Sequence, residues 1–321
     1  MFNMVKVTIV GAGFVGATTA HILAMKDIVQ EIVLVDIIEG VPQGKALDLQ
    51  QSCSIENFKT RIVGSNSYNE TKNSDIVVVT AGIPRKPGMS RDDLLAINTK
   101  IMASVVKEIA NVSPNAVLII VSNPLDAMVY VASEISKFPK HRIIGMAGIL
   151  DTARYKAFIA EKVSTDVNPV YPSAVNGFVL GGHGDEMVPL PRLTTVKKKL
   201  LEEMMNKKDI ESIIERTRNG GKEIVDYLKT GSAFFAPASS IVQMINAIVK
   251  DTDEILPCCA YVNGQYNVSG YFIGVPVVLG KKGVKKVIEL QLTDKENEQL
   301  QTTVSHVKML IGDVKKLLTN L

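Results

Sequence analysis

"VKVTIVGAGFVGATTAHILAM", Val5 to Met25, decides how the first half of this chain folds. Residues 5–10 alternate into an apolar run that stops at Gly11, the pattern of a short buried strand. The next eleven residues carry helix-period apolar positions, so a glycine turn joins a strand to a helix. The turn "GAGFVG", Gly11 to Gly16, has the spacing G-x-G-x-x-G. Alone this is a weak signal. Here Asp36 answers it at the end of the next strand, "EIVLVD", and the whole context is that of a dinucleotide-binding unit.

Each glycine has a job in that reading. Gly11 permits the tight turn, Gly13 lets backbone approach a pyrophosphate, and Gly16 lets helix and strand pack closely. Ala12, Phe14 and Val15 fill the intervening positions beside the phosphates. The helix amino terminus offers free N–H groups to negative charge. Asp36 would accept hydrogen bonds from the ribose hydroxyls of an adenosine. A 2′-phosphate would meet its carboxylate, so NAD is favoured over NADP.

Working outward, "RIVGS" (61–65), "DIVVVTAG" (75–82), "AVLIIVSNP" (116–124) and "RIIGMAG" (142–148) repeat the short β-branched run. Helix-period segments separate them. Strand alternating with helix predicts an α/β fold, a Rossmann-type parallel sheet with helices on both faces. The later strand ends, Thr80-Ala81-Gly82 and Val121 to Asn123, should line the same crevice at the carboxyl edge. Judged alone, Asn123 could equally cap a turn.

After about residue 148 the texture becomes mixed α+β. We expect a dinucleotide-binding domain over 1–145 and an α+β substrate domain over 146–321. A helix opens at "LDTARYKAFIAEKV". A strand pair is expected around "PVYPSAVNGFVLGGHGD". A long helix over 209–227 is expected to kink at Asn219-Gly220-Gly221. Another helix follows Pro237, with Ile241, Val242, Ile245, Ile248 and Val249 on one face. "YFIGVPVVLG" and "VIELQL" read as antiparallel strands. The last helix starts at "TDKE", where Thr293 and Glu296 have capping-box spacing.

Composition bounds the function. The chain has 321 residues, 46% hydrophobic and 21% charged, an ordinary globular balance. No apolar run reaches the roughly 18 residues a membrane span needs, so no membrane partner is expected. The start lacks the pattern of a secretory signal. Three cysteines, two of them adjacent, give neither a disulfide framework nor a zinc spacing, and no metal is expected. Net charge is only +3. The lysine clusters at 196–208 and 281–286 have no interleaved aromatics, which argues against nucleic acid. A cytoplasmic setting fits best.

Only four histidines are present. His183 stands apart, because "LGGHGD" surrounds it with glycines at a strand end. A histidine in a turn serves structure more often than chemistry, so its partners decide. Asp151 and Arg154, in "ILDTARY", are three apart and share a helix face. The aspartate could hold His183 through Nδ1–H. The arginine fork could take a carboxylate in two parallel bonds. A plain surface ion pair is the competing reading. One further segment asks for an explanation. "TAGIPRKPGMSRDDLL", Thr80 to Leu95, puts Arg85, Lys86 and Arg91 into a stretch whose prolines and glycines keep it from being an interior helix or strand.

These motifs, in this order and spacing, resemble the lactate/malate dehydrogenase family over essentially the whole length, and most closely its lactate-dehydrogenase-like malate dehydrogenases. The residues that carry the resemblance are "GAGFVG" with Asp36, "AGIPRKPGMSR", "VSNPLD", "GMAGILDTARY" and "VLGGHGDEMVP". It implies His183 as proton donor and acceptor, Asp151 as its partner, and Arg154 as the clamp on the substrate's C-1 carboxylate. It implies Asn123 as a contact to substrate and cofactor, Arg91 as the arginine that polarises the reacting carbonyl, and Asn98 as a cofactor contact. A second carboxylate, as in malate and oxaloacetate, needs its own cation. The resemblance assigns that to Arg85, where lactate enzymes carry glutamine. Ala233, where they tend to have threonine, would leave room for the longer acid. Loop closure would then expel water. The same resemblance places the chemistry in the tricarboxylic acid cycle. It makes "EGVPQGKALDLQQS" a helix that packs between subunits, so a homo-oligomer is expected, a tetramer ahead of a dimer. The alternatives are an enzyme for lactate or a branched 2-hydroxy acid, which Arg85 argues against, and a silent NAD-binding module. The silent module gives no reason for Arg91, Asp151, Arg154 and His183 to coexist.

Overall fold

Strand and helix alternate through the first half as the sequence predicts, in a computed structural model that describes residues 4–84 and 88–319. In order come β1 (Lys6–Val10), α1 (Phe14–Met25), β2 (Glu31–Val35), α2 (Val41–Glu56), β3 (Arg61–Ser65), β4 (Ile76–Val79), α3 (Arg91–Val112), β5 (Val117–Ile120), α4 (Leu125–Ser136) and β6 (Ile143–Gly145). All six strands pair in parallel, in the spatial order β3-β2-β1-β4-β5-β6. Both faces are covered, which is why the strands read as unbroken apolar runs. Val7 and Ile9 enter one core, while Val10, Val33, Val77 and Val79 enter the other. The order reverses between β1 and β4. That is the switch point where such sheets leave a crevice at their carboxyl ends.

The second half runs through α5 (Gly148–Val163), five two-residue strands and seven further α-helices and strands. The short strands are β7 (Val175–Asn176), β8 (Val179–Leu180), β9 (Val188–Pro189), β10 (Thr195–Val196) and β11 (Lys199–Leu200). Then come α6 (Leu201–Met204), α7 (Lys207–Leu228), α8 (Phe235–Lys250), β12 (Ile255–Asn263), β13 (Ser269–Gly280), β14 (Gly283–Val287) and α9 (Asp294–Thr319). β12 lies antiparallel to β6, with Cys259 opposite Gly145. β13 and β14 follow it outward, so one nine-stranded sheet crosses both halves. Gly145 makes the junction possible. A Cβ there would sit 2.8 Å from both Cys259 Cβ and Val129 Cγ2.

Three expectations need correction, and one strand has no counterpart among them. That strand is β12, whose Pro257 in "ILPCC" is a residue rarely found in a central strand. In the structure Pro257 lies opposite Pro276 of β13. The segment around 169–185 does not fold on itself. β7 pairs with β10, β8 with β9, and Gly181 bridges to Gly274 of β13. "VIELQL" leaves the sheet after Val287 because Tyr266 takes over its backbone partners. The Tyr266 hydroxyl donates to Ile288 O at 2.7 Å and accepts from Leu290 N at 3.0 Å. Finally, α7 continues unbroken through Asn219-Gly220-Gly221. The predicted capping box does form. Thr293 N donates to Glu296 Oε2 at 2.7 Å, and Glu296 N to Thr293 Oγ1 at 3.3 Å. Among the described residues no helix is long and apolar enough to cross a membrane.

Candidate active site

The crevice between β1 and β4 is built largely from backbone. Gly11 has φ +106° and lies so near β4 that a Cβ would meet Thr80 Oγ1 at 2.4 Å. Gly16 is tighter still, 1.9 Å from the Gly11 carbonyl by the same measure, whereas the space over Gly13 is open. Thr80 Oγ1 donates to Gly11 O at 3.0 Å, tying the two strand ends together. Asp36 is fixed by two amides. Ala12 N donates to its Oδ2 at 2.8 Å and Ile38 N to its Oδ1 at 3.1 Å. A carboxylate keeps further acceptor capacity after two such bonds, so a ribose diol remains within its means. Lys45 Nζ donates to Ala12 O at 2.5 Å, a support that the sequence did not signal. Ala12 is buried, Val15 half-buried, and Phe14 exposed and stacked on Phe234 with ring centroids 5.3 Å apart.

On the other side of the crevice Asn98 is a brace. It is buried on α3, and its Nδ2 donates to Asn123 O at 2.7 Å and Ile83 O at 3.1 Å. Its Oδ1 accepts from Ile83 N at 2.9 Å. It therefore locks the start of the loop after β4 to the end of β5, and spends its amide donors in doing so. Ser122 Oγ, donating to Ala81 O at 2.5 Å, makes a parallel tie. Thr80, Ala81 and Val121 are half-buried, and Gly82 and Asn123 are exposed at the rim. Arg91 is the first residue of α3, exposed, beside the Ser90–Asp93 capping box. A cation at a helix amino terminus is opposed by the dipole, so its position serves something other than helix stability. Arg85 falls at 85–87, outside the described residues.

The reacting end gathers residues from α4, α5 and the loop after β8. Asp151, buried in the first turn of α5, is shared between two partners. Its Oδ2 lies 2.8 Å from His183 Nδ1, and its Oδ1 accepts from Arg154 Nη1 at 3.0 Å. Asp151 is 2% exposed, Arg154 14% and His183 19%. This is no surface ion pair; it is a buried charge chain with an accessible ring at one end. Burial pushes the His183 pKa down, but the charge and hydrogen bond of Asp151 outweigh it, aided by Asp126 and opposed by Arg154. The net shift is upward from the ordinary histidine value.

Sequence reasoning missed Asp126. It sits fully inside the protein and accepts His183 N at Oδ2, 3.0 Å away, and lies 3.5 Å from Cys259 Sγ at Oδ1. Burial pushes its carboxyl pKa up, and the bonds from His183 and Cys259 only partly offset this. The sole hint in the sequence is an acidic residue in the first turn of an otherwise apolar helix, which reads as dipole compensation.

Comparison with known proteins places this geometry. The sequence model for the lactate/malate dehydrogenase NAD binding domain matches residues 5–145. The model for the lactate/malate dehydrogenase alpha/beta C-terminal domain matches residues 149–318. The chain belongs to the lactate/malate dehydrogenase family. It is 52% identical to a malate dehydrogenase of Chloroherpeton thalassium over 94% of this chain and 96% of that one. The crystal structure of Cryptosporidium parvum malate dehydrogenase superposes with a TM-score of 0.93 at 43% identity, covering 98% of this chain and 99% of that chain. The lactate dehydrogenase of the same organism, solved with lactic acid and β-nicotinamide adenine dinucleotide, also gives 0.93, at 36% identity and the same coverage. Equal scores for a malate and a lactate enzyme mean that backbone shape does not choose the acid. The glycine turn and Asp36 lie within the match to the family's NAD-binding domain.

Proposed function

We propose that the protein is an NAD-dependent malate dehydrogenase, interconverting (S)-malate and oxaloacetate. The observation that carries the reading is the chain His183–Asp151–Arg154, with contacts of 2.8 and 3.0 Å. NAD supplies the hydride acceptor and donor. The residues that would hold it are Gly11 to Gly16, Asp36 and the strand ends at Thr80 and Val121, and the open cradle over Gly13 fits it. What remains for the protein is to orient the acid and handle one proton.

Asp151 accepts Nδ1–H and thereby leaves Nε2 of neutral His183 as the base. Nε2 takes the C-2 hydroxyl proton as hydride leaves C-2, and the imidazolium so formed is stabilised by Asp151. In reverse, imidazolium donates to the carbonyl oxygen of oxaloacetate. Arg91 stabilises the charge that develops on that oxygen. Arg154 commits one of its donors to Asp151, and the rest of its fork binds the C-1 carboxylate. Asn123, at the rim of β5, contacts both substrate and cofactor, held through the Asn98 brace.

Selectivity falls to Arg85, whose guanidinium neutralises the second carboxylate. With pyruvate that charge would be enclosed without a partner, at a cost of several kcal/mol, or about a thousandfold in kcat/KM. We further propose that the enzyme works in the cytoplasm, in the tricarboxylic acid cycle, as a homo-oligomer. α2 supports the last point. Its Leu47 and Ile55 are 62% and 77% exposed, two large apolar side chains that a second copy would cover.

The test is NADH oxidation followed with oxaloacetate, pyruvate or no acid, repeated with NADPH. Oxaloacetate with NADH should be preferred, and Arg85→Gln should move the preference toward pyruvate. A parent enzyme that favours pyruvate would refute the assignment. An unchanged ratio in the variant would remove Arg85 from selectivity.

A further inference from the structure

One feature of α7 takes no part in cofactor binding or proton transfer. A glycine pair sits in the interior of a continuous helix of 22 residues. Two glycines there sacrifice helix stability relative to alanine. Neither has the positive φ that would require glycine, and the helix continues through both. The buried stripe of α7 is Ile210, Ile213, Thr217 and Gly220. Its side chains shrink toward the carboxyl end, and what meets the narrow end is Arg154 on α5. A Cβ on Gly220 would lie 3.1 Å from Arg154 Cδ and 3.5 Å from Phe158 Cε2. A Cβ on Gly221 would lie 3.5 Å from Arg154 Nη2. Phe158, one helical turn beyond Arg154 on α5, faces Gly220 as well. Its ring is covered by the Arg216 guanidinium at 4.1 Å, and Arg216 is held by Glu161 and Glu223.

Arg154 is otherwise restrained at one atom. Nη1 is bonded to Asp151, whereas its buried Nε has no hydrogen-bond partner among the described residues. A guanidinium fixed at one corner can still swing about that bond. We infer that Gly220 and Gly221 are positioning residues: bare backbone on α7 forms a slot that seats the stem and plane of Arg154, and so sets where the substrate carboxylate is held. Phe158 lines the same slot at Gly220. The inference rests on Arg154 being the carboxylate clamp, and it adds a specificity element that touches neither acid nor cofactor.

Gly220→Ala and Gly221→Ala test it, beside Arg154→Lys. The Cβ of Gly221→Ala makes only ordinary van der Waals contact, so this variant folds, and the added helix propensity should hold or raise its Tm. For Gly220→Ala we expect KM for oxaloacetate to rise about ten- to a hundredfold, the scale of a sub-ångström to ångström misplacement. Gly221→Ala should raise it less, and NADH affinity should be unchanged in both. Arg154→Lys should raise KM as well. If Arg154→Lys raises KM while neither glycine variant does, the slot is overturned and the clamp survives. If Arg154→Lys leaves KM unchanged, the clamp itself falls. If Gly221→Ala lowers Tm and weakens oxaloacetate and NADH alike, the glycines serve general packing and the inference fails.

Discussion

The two ends of the crevice are built by different means. The cofactor end is local and made of backbone. Gly11, Gly16 and Asp36 lie within 26 residues of one another, and its tightest approach, Gly16 against the Gly11 carbonyl, is to main chain. The reacting end is non-local and made of side chains. Asp126, Asp151, Arg154 and His183 come from α4, α5 and a loop, and they meet only because the sheet and its helices bring them together. A backbone site is lost by adding atoms. A side-chain site is lost by removing them.

That contrast can be broken experimentally. The largest effect belongs to His183→Asn, which should lose about 10²–10⁴-fold in kcat while NADH titration stays normal. Near-parent turnover would show that the proton is handled elsewhere. Asp151→Asn comes next, read as a pH profile. Reduction of oxaloacetate needs protonated His183, so kcat/KM should be flat at low pH and fall as pH rises through the raised His183 value. Without the aspartate charge, burial and Arg154 are opposed only by Asp126, and that value falls. The falling limb then moves to lower pH, and malate oxidation gains its base at lower pH too. A limb that stays in place would separate Asp151 from the histidine. Gly16→Ala probes the other end. Its Cβ would collide with the Gly11 carbonyl, so NADH binding should weaken and stability fall by about 1–3 kcal/mol, while the His183 profile keeps its pH position. The smallest effect is that of Thr293→Ala, at the α9 capping box far from either end. It should cost about 1 kcal/mol by thermal unfolding and leave every kinetic constant alone; altered kinetics would mean that α9 communicates with the site.

The same contrast explains what was legible in the sequence. β1 through β6 were readable because a strand buried on both faces writes a continuous β-branched run, and the glycine turn was readable because its rule is one of spacing. β12 is hard to read because Pro257 interrupts its apolar run and its partners, β6 and β13, lie elsewhere in the chain. The end of β14 was set by the Tyr266 hydroxyl, more than twenty residues away. His183, Asp151 and Arg154 were found by motif, yet their shared carboxylate was not. Asp126 was invisible as a partner of His183, because 57 residues separate them. The glycines at 220–221 suggest a kink, since the sequence supplies the missing side chains but not the neighbour that fills their space.

One consequence of the β6–β12 junction concerns attempts to take the molecule apart. A fragment ending near residue 145 would leave β6 with a bare edge, its Ile143 and Ile144 no longer covered and its amides and carbonyls free to recruit any passing strand. Such a piece should precipitate or pair with itself, even though it holds the complete nucleotide turn, because its outermost ladder is completed only by chain synthesised more than a hundred residues later.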